Sequence, residues 1–321
     1  LPLQNGLCWT HCIETVPRSP LDPFRALRAA THHLRRLTPD IVFSALPAAN
    51  AIFPVAAVLS GTAPKVFTAH HSPIFTYKPL YRLMDAAVGV TQAVSGVVCV
   101  SASVQSSLAH RPRRYHLKSL VIHNALPPEV ETWVTALRNR RQTNHRPARA
   151  IIACGRLAEQ KNYPVLIKAM AHVNNATLQI VGAGPEEAAL RSLAARIGVA
   201  GRIAFLGMKP RAETLALLAE SDIFVQPSLF EGHSLALVEA AGIGVPMIVS
   251  NVPSQIEAVR RSDGVLCALT HDAHDDRDLA KALNLLLDDQ DLRNQFQSRA
   301  ASLAEETSFS RMVDAYEGLL G

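Results

Sequence analysis

The chain has 321 residues, 48% of them apolar and 18% charged, with a formal net charge of +5. These proportions suit a globular protein of about two domains with ample material for a core. No run of about 18 uninterrupted apolar residues occurs, which excludes an evident membrane-spanning helix; the most apolar stretch, 48–59, is interrupted by Asn50 and Pro54.

No secretory signal pattern is read at the start. Cys8, Cys12, Cys99, Cys154 and Cys267 are scattered and odd in number. That argues for a reducing, cytoplasmic compartment and against a disulfide frame or a zinc site. The charge is unevenly spread. Residues 1–150 hold 17 Lys and Arg against 6 Asp and Glu, whereas the remainder holds 15 against 21. A basic first part attracts polyanions, anionic lipid surfaces or phosphorylated substrates. Its densest cluster, 111–118, reads either as such a surface or as a solvated loop.

In chain order, runs rich in Val, Ile and Phe predict strands at 40–45, 65–69, 96–101 and 120–123, with helices at 23–37, 80–94 and 101–110 between them. Further on, strands are predicted at 150–154, 177–181, 202–206, 223–226 and 246–250, and helices at 163–172, 185–197, 212–219 and 235–241. Residues from 275 onward read as helices, the last near 311–320. Alternation of strand and helix predicts parallel sheets covered on both faces. The polar stretch 138–147, without an apolar period, reads as a linker. The expected organisation is therefore a first domain over 1–137, a linker over 138–149, a second domain over 150–306 and a terminal helix over 307–321 that packs back on the first domain. The opening segment, 1–20, lacks the strand–turn–helix unit with which a doubly wound domain usually begins. It predicts an N-terminally incomplete first domain.

The chemistry concentrates in the second domain. Glu239 sits in an apolar helix, where a carboxylate needs a defined partner. That partner is either a pair of sugar hydroxyls, as for the ribose of a nucleotide, or a salt bridge to a neighbouring element. Glu231 lies in the loop leaving a strand, where open α/β sheets bind ligands. Gly232 lets backbone approach a ligand, and the free N–H groups around His233, Ser234 and Leu235 favour an anion. In a second loop, after Gly155, Arg156 and Lys161 precede a helix. Cations are disfavoured at a helix N-terminus, so these two read as a diphosphate site, the alternative being surface charge. The Gly-rich turn 181–185 carries little information alone.

The Gly-Arg-Leu…Lys-Asn segment at 155–162, the Val-Gly-Ala-Gly-Pro turn at 181–185, Phe205-Leu-Gly207 and Glu231-x7-Glu239 occur in the order and spacing of a known family. So do Thr68-Ala-His70, Val100-Ser101 and Val121-Ile-His-Asn124. The chain resembles the family 4 retaining glycosyltransferases. The resemblance implies a GT-B fold: α/β, two facing Rossmann-like domains with a cleft between, the first here lacking its initial strand–loop–helix unit. It implies transfer of a hexose from a nucleotide sugar, with UDP the commoner carrier, to an acceptor hydroxyl with retention. No metal and no cofactor beyond the nucleotide-sugar co-substrate is implied. Glu231 would face the transferred sugar and Glu239 the ribose, Arg156 and Lys161 would neutralise the diphosphate, and His70 would reach the reaction centre.

Two departures matter. The family often has Phe where His233 stands, so His233 either hydrogen-bonds the donor or is a stacked or solvent-facing ring. His71 beside His70 leaves the catalytic histidine ambiguous. The basic first domain suits a polysaccharide or lipid-linked glycan acceptor and peripheral contact with the cytoplasmic face of a membrane; no nucleic-acid partner is expected. Two other readings stay open: a non-catalytic nucleotide-sugar-binding remnant, and a GT-B nucleotide-sugar epimerase.

Overall fold

Two parallel sheets organise the chain; interior strands are apolar and buried on both faces, whereas the edge strands keep exposed or half-buried positions. The computed structural model describes residues 22–144 and 149–319. The expected incomplete opening unit falls on residues 1–20, outside the described residues, as do Cys8 and Cys12. The chain divides into two units, residues 1–121 and 122–321.

The first unit runs α1 (Asp22–Leu37), β1 (Ile41–Ala45), α2 (Pro47–Ser60), β2 (Lys65–His70), α3 (Pro79–Gly89), β3 (Gly96–Cys99), α4 (Ala102–Ser106), α5 (Arg113–His116) and β4 (Ser119–Val121). Its four strands pair in the order β1-β2-β3-β4, all parallel. The stretch interrupted by Asn50 and Pro54 is helix α2, which the sequence reading did not predict. Asn50 is the reason it docks. Ser44 Oγ donates to Asn50 Oδ1 at 2.9 Å and Asn50 Nδ2 donates to Ala69 O at 2.9 Å, so one buried amide ties the helix to β1 and β2. Among the described residues no helix is long and apolar enough to cross a membrane.

The second unit runs α6 (Pro128–Asn144), β5 (Ala150–Cys154), α7 (Tyr163–Ala169), β6 (Thr177–Val181), α8 (Glu187–Arg196), β7 (Ile203–Gly207), α9 (Arg211–Glu220), β8 (Ile223–Gln226), α10 (Leu235–Ile243), β9 (Met247–Ser250), α11 (Pro253–Ala258), β10 (Leu269–His271), α12 (Asp276–Asp288), α13 (Gln290–Glu306) and α14 (Phe309–Glu317). The six-stranded sheet has the order β10-β9-β8-β5-β6-β7, again all parallel. Strand alternation splits the core in two. Ile151, Ala153, Val225 and Ile248 face one apolar cluster, while Ile152, Cys154, Phe224 and Val249 face the other.

The unit boundary at 121/122 lies ahead of the expected linker, and the first part of that linker is the C-terminal half of α6. Val130, Val134 and Leu137 do form an apolar period that packs on the second core. It continues into Arg141, whose buried guanidinium donates to Ala219 O at 2.7 Å and Ser221 O, at and just beyond the end of α9. A cation there satisfies orphan carbonyls and complements the helix dipole. α14 begins with Phe309 N donating to Glu131 Oε1 of α6 at 2.7 Å, within the second unit.

Candidate functional site

Read from β7, the second sheet runs β7-β6-β5-β8-β9-β10. The chain builds one half outward from β5, then returns to build the other from β8. Connections therefore leave β5 and β8 in opposite directions, and the carboxyl ends of these two strands flank the topological switch point, where open α/β sheets bind ligands.

The loop after β5 carries Gly155, Arg156 and Lys161. Gly155 has φ +146°, a conformation that favours glycine, and a Cβ there would fall 2.9 Å from Lys161 Cε. The Gly-rich turn after β6 supports this loop from behind. A Cβ on Gly182 would lie 2.0 Å from Gly155 O, and Leu157 N donates to Ala183 O at 3.0 Å. The turn is a packing device for the β5 loop. Asn162, in the left-handed region at φ 51°, ends a short 3-10 turn and donates through Nδ2 to Pro227 O at 3.1 Å and Ala273 O at 2.7 Å.

The loop after β8 carries Glu231. Its carboxylate is buried and meets Lys161 Nζ at 2.7 Å through Oε1. Gln160 holds the same loop: its Nε2 donates to Phe230 O at 3.0 Å and to Glu231 Oε2 at 3.4 Å, and its backbone carbonyl accepts from Leu229 N at 2.8 Å. From the β9 side, Ser254 Oγ accepts from Glu231 N at 3.0 Å. Arg156 is exposed, and its guanidinium has no hydrogen bond or ion pair among the described residues.

Gly232, His233 and Ser234 lead buried into α10. Ser234 is the N-cap residue, yet its hydroxyl does not cap the helix; it donates to Gln226 Oε1 at 2.7 Å. Gln226 in turn donates to Gln255 Oε1 at 2.8 Å, and Gln255 donates back to Gln226 O at 2.8 Å. The first N–H groups of α10, from the partly exposed Leu235 on, therefore open without a side-chain cap, which favours an anion. His233 stacks on His123 with ring centroids 4.9 Å apart, and His123 Nε2 pairs with Glu257 Oε1 at 2.9 Å. Burial, with the neighbouring His123, lowers the His233 pKa to about 4, so the imidazole is neutral near pH 7. Its Nδ1 is buried without a partner.

Glu239, 6% exposed, finds a salt-bridge partner: Arg211 at the start of α9 donates to Oε1 from both Nε and Nη2 at 2.7 Å. Burial raises the carboxyl pKa, and the Arg211 hydrogen bond and charge oppose the shift.

The structure thus brings Gly155, Lys161 and Glu231 together, with Gly232, His233, Ser234 and Leu235 following Glu231 into α10 and Glu239 about one turn into that helix. His70 differs. It lies in the first unit and is fully buried, with Nδ1 3.2 Å from Tyr77 Oη and Nε2 3.3 Å from both Tyr115 Oη and Asp85 Oδ1. Both ring nitrogens are occupied, so the ring presents nothing to a substrate in this arrangement. His71, next in the chain, is exposed, and partial burial with the neighbouring His70 lowers its pKa. Sequence reasoning missed Gln160, Ser254, Arg211 and the His123–Glu257 pair. Arg211 carried a readable signal, a cation in the first turn of a helix.

Residues 137–303 match the family model described as glycosyl transferases group 1, and residues 10–130 match the one described as Glycosyltransferase Family 4. The chain is 22% identical over 300 residues to an uncharacterized glycosyltransferase of Haemophilus influenzae, covering 90% of this chain and 80% of that protein. It is 34% identical over 170 residues to the lipopolysaccharide core biosynthesis glycosyltransferase LpsD of Rhizobium meliloti, covering 52% of this chain and 47% of the relative. The chain spans half or less of the length of LpsD and of the further curated relatives it matches. Among solved structures, Anabaena Alr3699/HepE in complex with UDP and glucose superposes with a TM-score of 0.78 at 16% identity, over 95% of this chain and 83% of that one. At that identity the likeness establishes the fold, which is GT-B.

Proposed function

Because this chain belongs to the glycosyl transferases group 1 family of glycosyltransferases, we propose that it moves a hexose from a UDP-sugar to an acceptor hydroxyl with retention of anomeric configuration. The acceptor is a polysaccharide or a lipid-linked glycan. One observation carries the donor half of this reading: the Lys161–Glu231 pair sits at the switch point of the second sheet, beside a helix whose first N–H groups lack a side-chain cap. The relatives support the rest, since LpsD is a lipopolysaccharide core biosynthesis glycosyltransferase and the Anabaena protein holds UDP and glucose.

In this scheme the acceptor oxygen bonds to the anomeric carbon on the face from which the diphosphate leaves. The bond from that carbon to the phosphate oxygen breaks, its electron pair leaves with UDP, and the acceptor proton passes to a donor phosphate oxygen. The protein positions and stabilises charge. Lys161 keeps two N–H donors after serving Glu231; with the unpaired Arg156 it meets the charge that grows on the diphosphate. The backbone from Gly155 and from Gly232 through Leu235 approaches the phosphates and the sugar. Glu231 accepts sugar hydroxyls, His233 Nδ1 takes a further donor group, and Glu239, salt-bridged to Arg211, accepts the ribose hydroxyls.

The test is calorimetric titration of the purified chain with UDP, GDP, ADP and their common sugars, alongside Glu239→Ala. UDP binding that weakens about tenfold or more in the variant, as loss of a charged hydrogen-bond acceptor implies, supports the donor site. Unchanged affinity in Glu239→Ala sinks the ribose assignment. Product analysis with the bound sugar then separates transfer from epimerisation.

A further inference from the structure

Helix α3 is built inside out. Its inward side carries Asp85 and Gly89, both buried, while Leu80, Leu83 and Ala87 recur at helical spacing on the outward side and are exposed. Leu80 and Leu83 are 61% and 69% exposed. Single exposed leucines are ordinary, but an apolar stripe along the solvent face of a helix is the mark of an interaction surface.

The segment 111–118 lies alongside this helix. Arg111 Nη2 donates to Arg82 O and to Asp85 Oδ2, both at 2.8 Å. Tyr115 Oη donates to Asp85 Oδ1 at 2.9 Å, and Lys118 Nζ donates to Gly89 O at 3.4 Å. The pair therefore forms one surface, to which α5 adds the exposed Arg113 and Arg114, and Leu117 is 74% exposed. Lys78, Arg82, Arg113 and Arg114 are exposed, and their side chains have no hydrogen bond or ion pair among the described residues.

The surrounding sequence is one-signed. Between Asp40 and Glu129 the chain holds seven Lys and Arg and a single acidic residue, Asp85. Asp85 is buried and spent on Arg111, Tyr115 and His70. No carboxylate from this stretch reaches the surface. Apolar side chains interspersed with unpaired cations, with no anion to repel phosphates, match an anionic bilayer: the leucines enter the acyl boundary and the cations meet the headgroups.

We propose that the outward face of α3, with the 111–118 segment, docks this protein on an anionic membrane surface, bringing it to a lipid-linked acceptor; the second clause rests on the acceptor reading above. The charge complementarity and the outward leucines select a bilayer over a soluble polyanion, which would not need the leucines.

The experiment is co-sedimentation of the full chain with vesicles of phosphatidylcholine alone or with one-third phosphatidylglycerol. It compares wild type with Leu80→Ser/Leu83→Ser and with Arg82→Ala/Arg113→Ala/Arg114→Ala. Wild type should bind only the anionic vesicles, and less so as salt rises. The triple variant should lose about a hundredfold, at roughly fivefold per cation, and the leucine variant about tenfold or more. Absence of binding by folded wild type, or equal binding by all three, overturns the proposal. So does a dimer that the leucine variant dissociates without vesicle binding in either form. UDP titration of the same preparations keeps the readings apart. Vesicle binding without UDP binding overturns the donor site and leaves the docking face standing; UDP binding without vesicle binding does the reverse.

Discussion

Two buried charge clusters in this molecule look alike in composition and differ in what they leave unspent. In the first unit, His70, Asp85, Tyr77, Tyr115 and Arg111 close on one another: both His70 nitrogens and both Asp85 oxygens have partners. In the second, Lys161 pairs with Glu231, but the Arg156 guanidinium has no partner among the described residues, α10 opens without a side-chain cap and His233 Nδ1 is an orphan. A closed network stabilises a fold, whereas an open one holds capacity for a ligand. The comparison therefore separates groups that by residue type alone would all count as catalytic candidates.

The largest effect expected from breaking it is on the closed cluster. Asp85→Ala leaves Arg111, the Tyr115 hydroxyl and His70 Nε2 facing a buried site without their carboxylate partner, and should cost about 3–5 kcal/mol of stability. Denaturant unfolding measures it, and UDP affinity per folded molecule should hold. In the open cluster, Lys161→Ala should lower turnover by about 10²–10³-fold, the scale for removing a donor to developing charge. Arg156→Ala should act the same way with less change in donor affinity, because it meets charge that grows only in the transition state. Full turnover in both variants would show that the open groups are not the working ones.

A pH experiment sharpens the contrast further. His233 has its pKa lowered to about 4 from 6.5, so its folded form resists protonation. Its contribution to stability is present above pH 6.5 and is lost as pH falls through about 4, amounting to on the order of 2–3 kcal/mol. His233→Phe keeps a ring to stack on His123 and cannot protonate. Its unfolding free energy should fall less than that of wild type between pH 6.5 and pH 4. Parallel pH curves would mean that His233 titrates as an exposed ring.

Much of this was legible before any coordinates. Strands such as Ala150–Cys154 and Ile223–Gln226 announce themselves by Val, Ile and Phe runs, and the site loops by cations and glycines at strand ends. The errors have physical causes. Asn50 and Pro54 look like interruptions, yet a buried amide with two good partners fastens α2 to the sheet. Arg141 looks like linker charge, yet it occupies an apolar position of α6 and donates to the end of α9. The closure of His70 could not be read, because Tyr77, Asp85 and Tyr115 come from three separate segments. Lys161 and Glu231 stand seventy positions apart, and each was legible alone. Their contact belongs to the strand order, which brings β5 beside β8.

The smallest effect is the most incisive for the comparison. Tyr77→Phe removes one hydroxyl, 3.2 Å from His70 Nδ1, and keeps the ring that stacks on His70 at 5.7 Å with an interplanar angle of 6°. If the cluster is structural, the variant loses one net hydrogen bond, about 1 kcal/mol, or roughly 2 °C in Tm for a chain of this size. Transfer rate and UDP affinity should stay at wild-type values. A variant with unchanged Tm and a tenfold lower kcat would place His70 in the chemistry after all. The cluster would then open during turnover, with Tyr77 setting the His70 tautomer, and the division between closed scaffold and open site would fail at this histidine.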